Sequence, residues 1–194
     1  MKTSKKQTGT KHGMHNKWLL LGALTLMLGL VAPLAMAGPE QDNEQAVKEF
    51  NRGDLVASIA LWRKAANAGY APAQVWLGDV LDKSEEDAEA VEWYRKAAAQ
   101  GDAAGEYGLG QMYAKGEGVK KDLVEARSHI LLAAEKNHLP AMMVMMGAYR
   151  VGGLGVTPDA AQADAWEAKL VALSPTYKKD PVSTQGKPKK VNGK

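Results

Sequence analysis

Four methionines, Met142, Met143, Met145 and Met146, fall in a single helical turn with His138 one turn before them. Thioether plus imidazole is the donor set of a soft copper site. The same residues have a plainer use, because Met fills gaps in small helical cores and adapts to partner surfaces. The second use carries more weight, since Met146 stands at a recurring apolar position described below.

Nucleophilic hydrolysis is the other chemistry to weigh. Ser58, Ser84, Ser128 and Ser174 are followed at +3 by Leu61, Asp87, Leu131 and Tyr177, so no Ser-x-x-Lys stands beyond residue 37, and Gly-x-Ser-x-Gly is missing too. His129 and His138 are the only histidines after residue 37. Ser128 and His129 are neighbours on a helix and point to different sides of it. His129 occupies the place held by Leu61, Trp93 and Trp166 in other parts of the chain, which predicts a packed ring with a satisfied nitrogen. Glu85-Glu86-Asp87 reads as the acidic start of a helix, not as a carboxylate pair for acid–base work. The Gly-x-Gly segments follow helices and lack the Lys-Ser/Thr of a phosphate cradle. With no cysteine in the chain, a disulfide framework, a zinc ribbon, an iron–sulfur site and a thiol nucleophile are all excluded. The chain is expected not to be an enzyme, and the pattern calls for no cofactor and no metal.

The 194 residues are 45% apolar with a single Phe, which allows one ordinary domain. Residues 1–37 read as an export signal. Lys2, Lys5, Lys6, Lys11 and Lys17 form a basic start, Trp18 to Leu30 is uncharged and Leu-rich, and Ala35 and Ala37 supply the small-x-small site. Cleavage after Ala37 and a periplasmic or secreted location are expected; the rival is an uncleaved anchor, since Trp18 to Ala37 approaches the length of a membrane span. Residues 38–173 carry 21 acidic against 14 basic residues, a formal net of −7. That is not a nucleic-acid binder by composition. Residues 174–194 hold six Lys against Asp180 alone and little that is apolar, and read as a disordered, solvated tail.

Self-similarity is the main signal. Trp62-Arg-Lys-Ala-Ala66 recurs as Tyr94-Arg-Lys-Ala-Ala98 and, more weakly, as Ile130-Leu-Leu-Ala-Ala134, at spacings of 32 and 36 residues. Leu77-Gly78 recurs as Leu109-Gly110 and, at the position of the methionines, as Met146-Gly147. The segment Gly116-Glu-Gly118-Val119-Lys-Lys-Asp122 recurs as Gly153-Leu-Gly155-Val156-Thr-Pro-Asp159.

Each marker has a job in a helix–turn–helix unit. A mid-helix Gly costs about 1 kcal/mol relative to Ala, and in return a neighbouring helix can approach closely. Gly116 and Gly118 end a first helix with positive φ. Val119 and Val156 then plug the turn, and Asp122 and Asp159 cap the second helix. The predicted pairs are 41–52 with 54–68, 71–82 with 85–100, 103–115 with 122–137, and 140–152 with 159–173. Strand signals are absent, so the fold class is all-α: an α/α solenoid of helix–turn–helix repeats, about three and a half of them, over 38–173.

The pattern Leu109-Gly-Gln-Met-Tyr113 and Gly116-Glu-Gly118-Val119-Lys-Lys-Asp122, with Ala90-x-x-Trp93-Tyr94-x-Lys96-Ala97-Ala98-x-x-Gly101, resembles the Sel-1-like repeat, a relative of the tetratricopeptide repeat. The resemblance covers about 44–173. Asn137 replaces the boundary glycines Gly69 and Gly101, and the disulfide-stapled secreted subfamily is not matched. What the resemblance implies is a non-enzymatic adaptor that binds a peptide or partner surface in a concave groove lined by first helices. The partner is expected to be a protein or peptide of the cell envelope, not nucleic acid. The stripe at i, i+3, i+7 of the first helices then comprises Trp76, Asp79 and Lys83, Gly108, Gln111 and Lys115, and Met145, Ala148 and Gly152. Within it, Asp79, Lys83, Gln111 and Lys115, with Asp82 beside them, are the expected polar contacts, and Trp76 and Met145 the apolar ones. A cell-envelope hydrolase and a copper-handling protein are the alternatives.

Overall fold

A computed structural model describes residues 38–174 and 176–177. The expected export segment, 1–37, and all but the first few residues of the Lys-rich tail lie outside the described residues.

Among the described residues there are eight helices and no strand: α1 Pro39–Arg52, α2 Leu55–Asn67, α3 Ala71–Lys83, α4 Asp87–Ala99, α5 Ala103–Lys115, α6 Leu123–Glu135, α7 Leu139–Val151 and α8 Ala160–Leu173. They pair in sequence order as four hairpins, and each hairpin packs on the next. The expected helix pairs are all present. The starts agree to within one residue except at two: α1 begins at Pro39 rather than 41, with the proline in its first turn, and α4 begins at Asp87 rather than 85, because Glu85 takes φ 61, which no helix tolerates.

The caps follow the sequence. Asp54, Asp102, Asp122 and Asp159 accept from backbone N–H groups in the first turns of α2, α5, α6 and α8. His138 does the same for α7, its Nδ1 accepting from Ala141 N at 3.4 Å. The hairpins join through left-handed residues, Gly69, Gly101 and Asn137 at φ 88, 79 and 65. Asn is the non-glycine residue most at ease there, so Asn137 keeps the junction. In the long turns Val119 packs on the core as expected, whereas in the last turn Leu154 does so and Val156 does not.

One rule organises the packing. In the first three hairpins the second helix carries a large apolar or aromatic side chain eight residues after its N-cap, namely Trp62, Tyr94 and Ile130 in α2, α4 and α6. Eight residues after its own N-cap, the matching first helix carries a small one: Ala46, Gly78 and Gly110. A Cβ on Gly78 would lie 2.7 Å from the Tyr94 ring, and one on Gly110 would lie 2.7 Å from Ile130 Cγ1. Large side chain thus seats on bare backbone. Between hairpins the contact is small on small, as a Cβ on Gly105 would sit 2.5 Å from Ala97 Cβ.

The core falls into two buried clusters. One runs from Ala46 to Met112 through α1–α5, and the other joins Ile130, Ala133, Ala134, Met142, Met145, Trp166 and Leu170 of α6–α8. Between α5 and α6 stands a buried carboxylate, Glu106, 2.7 Å from His129 Nδ1. Tyr113 stacks on the imidazole at 5.7 Å and 8°. His129 is therefore the packed, satisfied residue its position predicts.

Candidate functional site

The expected groove residues divide into those that face the core and those that face outward. Asp79 is half-buried and accepts from the Tyr94 hydroxyl at 2.7 Å. Burial raises its carboxyl above the ordinary value, against the opposing pull of the Tyr94 hydrogen bond and the Lys83 charge. Burial, then the Asp79 charge, pushes the Tyr94 hydroxyl far up in turn. The Tyr94 ring also lies against Gly108, where a Cβ would come within 2.5 Å. A single Tyr from α4 is thus inserted between Gly78 of α3 and Gly108 of α5, and its hydroxyl fixes Asp79.

Asp82, Lys83 and Lys115 come together outside that anchor. With Glu85, Asp87 and Glu117 they line an open cavity of about 630 Å³ where the ends of α3 and α5 meet the start of α4. Lys115 Nζ lies 2.7 Å from Glu117 and 3.8 Å from Asp82. The Glu117 hydrogen bond leads in raising the Lys115 pKa, with the charges of Asp82, Glu117 and Asp87 adding to it against burial. The ammonium is held charged, and the basin mixes two cations with four carboxylates. Gln111 stands one turn away and donates to the Tyr107 hydroxyl at 2.8 Å. Glu85, Asp87 and Glu117 were not singled out as contacts from sequence. Their signal is positional: Glu85 and Glu117 stand in the turns just after Lys83 and Lys115, and Asp87 opens α4.

Two expected contacts do not face a partner. Met145 is wholly buried in the second core cluster, so its place on the groove stripe is corrected. The reason is register. Counted from its N-cap at His138, Met145 corresponds to Leu77 and Leu109, and Met146 to Gly78 and Gly110; the pairing of Met146-Gly147 with the Leu-Gly marker is one residue out. Gly147 consequently has no neighbour within 4 Å of a Cβ position, unlike Gly78 and Gly110. Trp76 is half-buried, stacked on Trp62 at 5.2 Å and 4°, with Phe50 at 5.9 Å. It fills the seam between the first two hairpins.

The copper reading also meets the core. Met142 and Met145 are fully buried among apolar side chains, Met143 is exposed, and His138 Nδ1 is spent on the cap of α7. These groups do not converge on one open position.

An all-α array of successive helical hairpins, each packed on the next, defines a helical-repeat protein. The chain belongs to the Sel1 repeat family, whose model matches residues 52–70, 71–102, 103–138 and 140–166. Among solved structures it is similar to a protective antigen, c5321, of uropathogenic Escherichia coli, with an SLR fold: TM-score 0.64 and 30% identity, over 83% of this chain and 34% of that one. A Sel1 repeat protein from Oxalobacter formigenes gives TM-score 0.60 and 29% identity, over 70% of this chain and 41% of that one. Protein sel-1 homolog 2 of Homo sapiens is 31% identical over 118 residues, which is 57% of this chain and 17% of that protein. The chain therefore spans less than a fifth of that relative. Sel1 repeats in general mediate protein–protein interaction.

Proposed function

We propose that this chain is an exported, non-enzymatic adaptor that holds an extended segment of a cell-envelope protein along its first-helix face. The observation that carries the reading is the basin of Asp82, Lys83, Glu85, Asp87, Lys115 and Glu117, which gathers residues of two successive hairpins into one open, charged surface. Charged rims of both signs set the register of a bound segment and reject mismatched partners. The packing supports the placement, since α3 and α5, the helices that end in Lys83 and Lys115, touch each other directly. Export rests on the basic start, Leu-rich stretch and Ala35/Ala37 site of residues 1–37.

The test is crosslinking capture from the cell envelope with the tagged full chain, beside the variant Lys83→Glu/Lys115→Glu. Asp79 is left intact because it is tied to Tyr94 inside the packing. The expected result is an envelope protein recovered with the wild type and depleted with the variant, at unchanged helical circular dichroism, with a bait N-terminus at Gly38. Equal recovery by both proteins would overturn the basin as the contact surface, and recovery from the cytosol alone would overturn export.

A further inference from the structure

The last hairpin is apolar and open where the earlier ones are covered. Five residues after their N-caps, α3 and α5 carry Val75 and Tyr107, both half-buried. The next hairpin supplies the cover, since the Tyr107 ring lies 4.9 Å from that of His138, the cap of α7. The same place in α7 is Met143, which is 48% exposed, and among the described residues no hairpin follows it. The second helices repeat the pattern. Twelve residues after the N-cap, Ala66 of α2 and Ala134 of α6 are buried, whereas Val171 of α8 is half exposed.

Thirteen residues after the N-cap, α3 and α5 carry Lys83 and Lys115, but α7 carries Val151, which is 79% exposed. Met143 and Val151 stand four residues either side of Gly147, so the three share one face of α7. A mid-helix Gly costs about 1 kcal/mol relative to Ala. At Gly78 and Gly110 the bare backbone seats Tyr94 and Ile130, but a Cβ on Gly147 would have no neighbour within 4 Å. Nothing inside the chain makes use of that gap. Tyr177 closes one edge of the face, its hydroxyl reaching Met146 Sδ at 3.7 Å, and leaves Met143 and Val151 open.

We infer that this face of α7 is the contact between two copies of the chain, related by a two-fold axis at Gly147. Head-to-tail stacking is refused, because the face of α1 that would receive it is polar. Gln41 and Glu44 stand exposed there, at the places where α5 packs Gly105 and Gly108 on the preceding hairpin. A two-fold contact instead uses the same patch twice and closes on itself. Antiparallel α7 helices crossing at Gly147 bring their backbones close, and Met143 of each copy then meets Val151 of the other. No charge is stranded, since Arg150, the only charged residue of α7, is held by Glu167 of the same chain at 3.0 Å. One helical stripe per copy buries less than the roughly 800 Å² per partner of a stable complex. The pairing is therefore reversible, the single chain prevails in dilute solution, and the contact shares no residue with the charged basin.

The test uses the chain as it is recovered from cells, which holds no cysteine of its own. Sedimentation equilibrium from micromolar to millimolar protein compares the wild type with Met143→Lys/Val151→Lys, whose sites are exposed, at matched helical circular dichroism. The expected result is a dimer that grows with concentration and is weakened about tenfold or more in the variant. Mild oxidation then reads the register: Gly147→Cys should link to itself, and a mixture of Met143→Cys and Val151→Cys chains should give the mixed dimer ahead of either self-linked one. A monomer at every concentration, or a dimer indifferent to the lysines, overturns the inference. Self-linked Met143→Cys in excess over the mixed dimer overturns the two-fold at Gly147. A chain that dimerises only once 178–194 is removed overturns it in favour of that segment lying on the same face.

Discussion

The Tyr94 hydroxyl donates to Asp79 at 2.7 Å while its ring lies between the bare backbones of Gly78 and Gly108. One side chain therefore joins three helices, α3, α4 and α5, and sets the floor from which the charged basin rises. Whatever shifts Tyr94 shifts the spacing of Asp82 and Lys83 from Lys115.

Tyr94→Phe keeps the ring and removes the donor to a half-buried carboxyl. Chemical denaturation should show a loss of about 1–3 kcal/mol. The acid side of the same pair has a defined pH dependence. Because burial raises the folded Asp79 pKa above its ordinary value of 3.8, the folded state binds more protons in that window. Its contribution is complete below pH 3.8 and is lost as pH rises through the folded value. Asp79→Asn retains an acceptor for Tyr94, so its stability relative to wild type should improve from acid to neutral pH; a flat difference would contradict the assignment.

The register of α7 makes three glycines behave differently. Gly78→Ala and Gly110→Ala drive a Cβ into Tyr94 and Ile130 and should cost about 1–3 kcal/mol each. Gly147→Ala meets open space and should gain up to about 1 kcal/mol from helix propensity. Thermal melts of the three proteins check the ordering.

Met145→Ala empties a fully buried site and should destabilise by about 2–5 kcal/mol. Met143→Ala, at an exposed position of the same turn, should stay within about 0.5 kcal/mol of wild type. Urea titrations that reversed this order would return Met145 to the surface.

His129→Leu strips Glu106 of its 2.7 Å partner and leaves a buried carboxylate, at a cost of about 1–3 kcal/mol. The corresponding residue of α3 is Gln74, which donates to Ala66 O at 3.1 Å. Glu106→Gln added to His129→Leu should therefore recover part of the loss, and a double-mutant cycle measures the coupling.

Burial lowers the His138 pKa below 6.5, against the raising effect of Asp102. The unfolded chain then binds more protons in that window, so this contribution is complete above pH 6.5 and fades as pH falls through the folded value. Protonation also removes the Nδ1 acceptor that caps α7. In His138→Asn, which caps without titrating, that acid-side loss should vanish from the pH–stability curve.

The helices, their order and most of their ends were legible because they rest on local chemistry: aspartate caps, left-handed junctions and a recurring large-on-small pattern. His129 was readable for the same reason, as its position in the repeat fixes its surroundings. The inward or outward fate of single residues was not. Each helical residue turns by about 100°, so matching Met146-Gly147 to the Leu-Gly marker, one residue off the register set by His138, was enough to carry Met145 from the core to the groove. Trp76 likewise met Trp62 across a hairpin boundary that lies fourteen residues away in sequence. The sequence by itself determined a Sel1-type helical array and an acidic body. Only the tertiary structure decided that Tyr94 ties three helices together and that Asp82, Lys83 and Lys115 share a basin with Glu117, because those outcomes depend on which faces of separate helices are brought into contact.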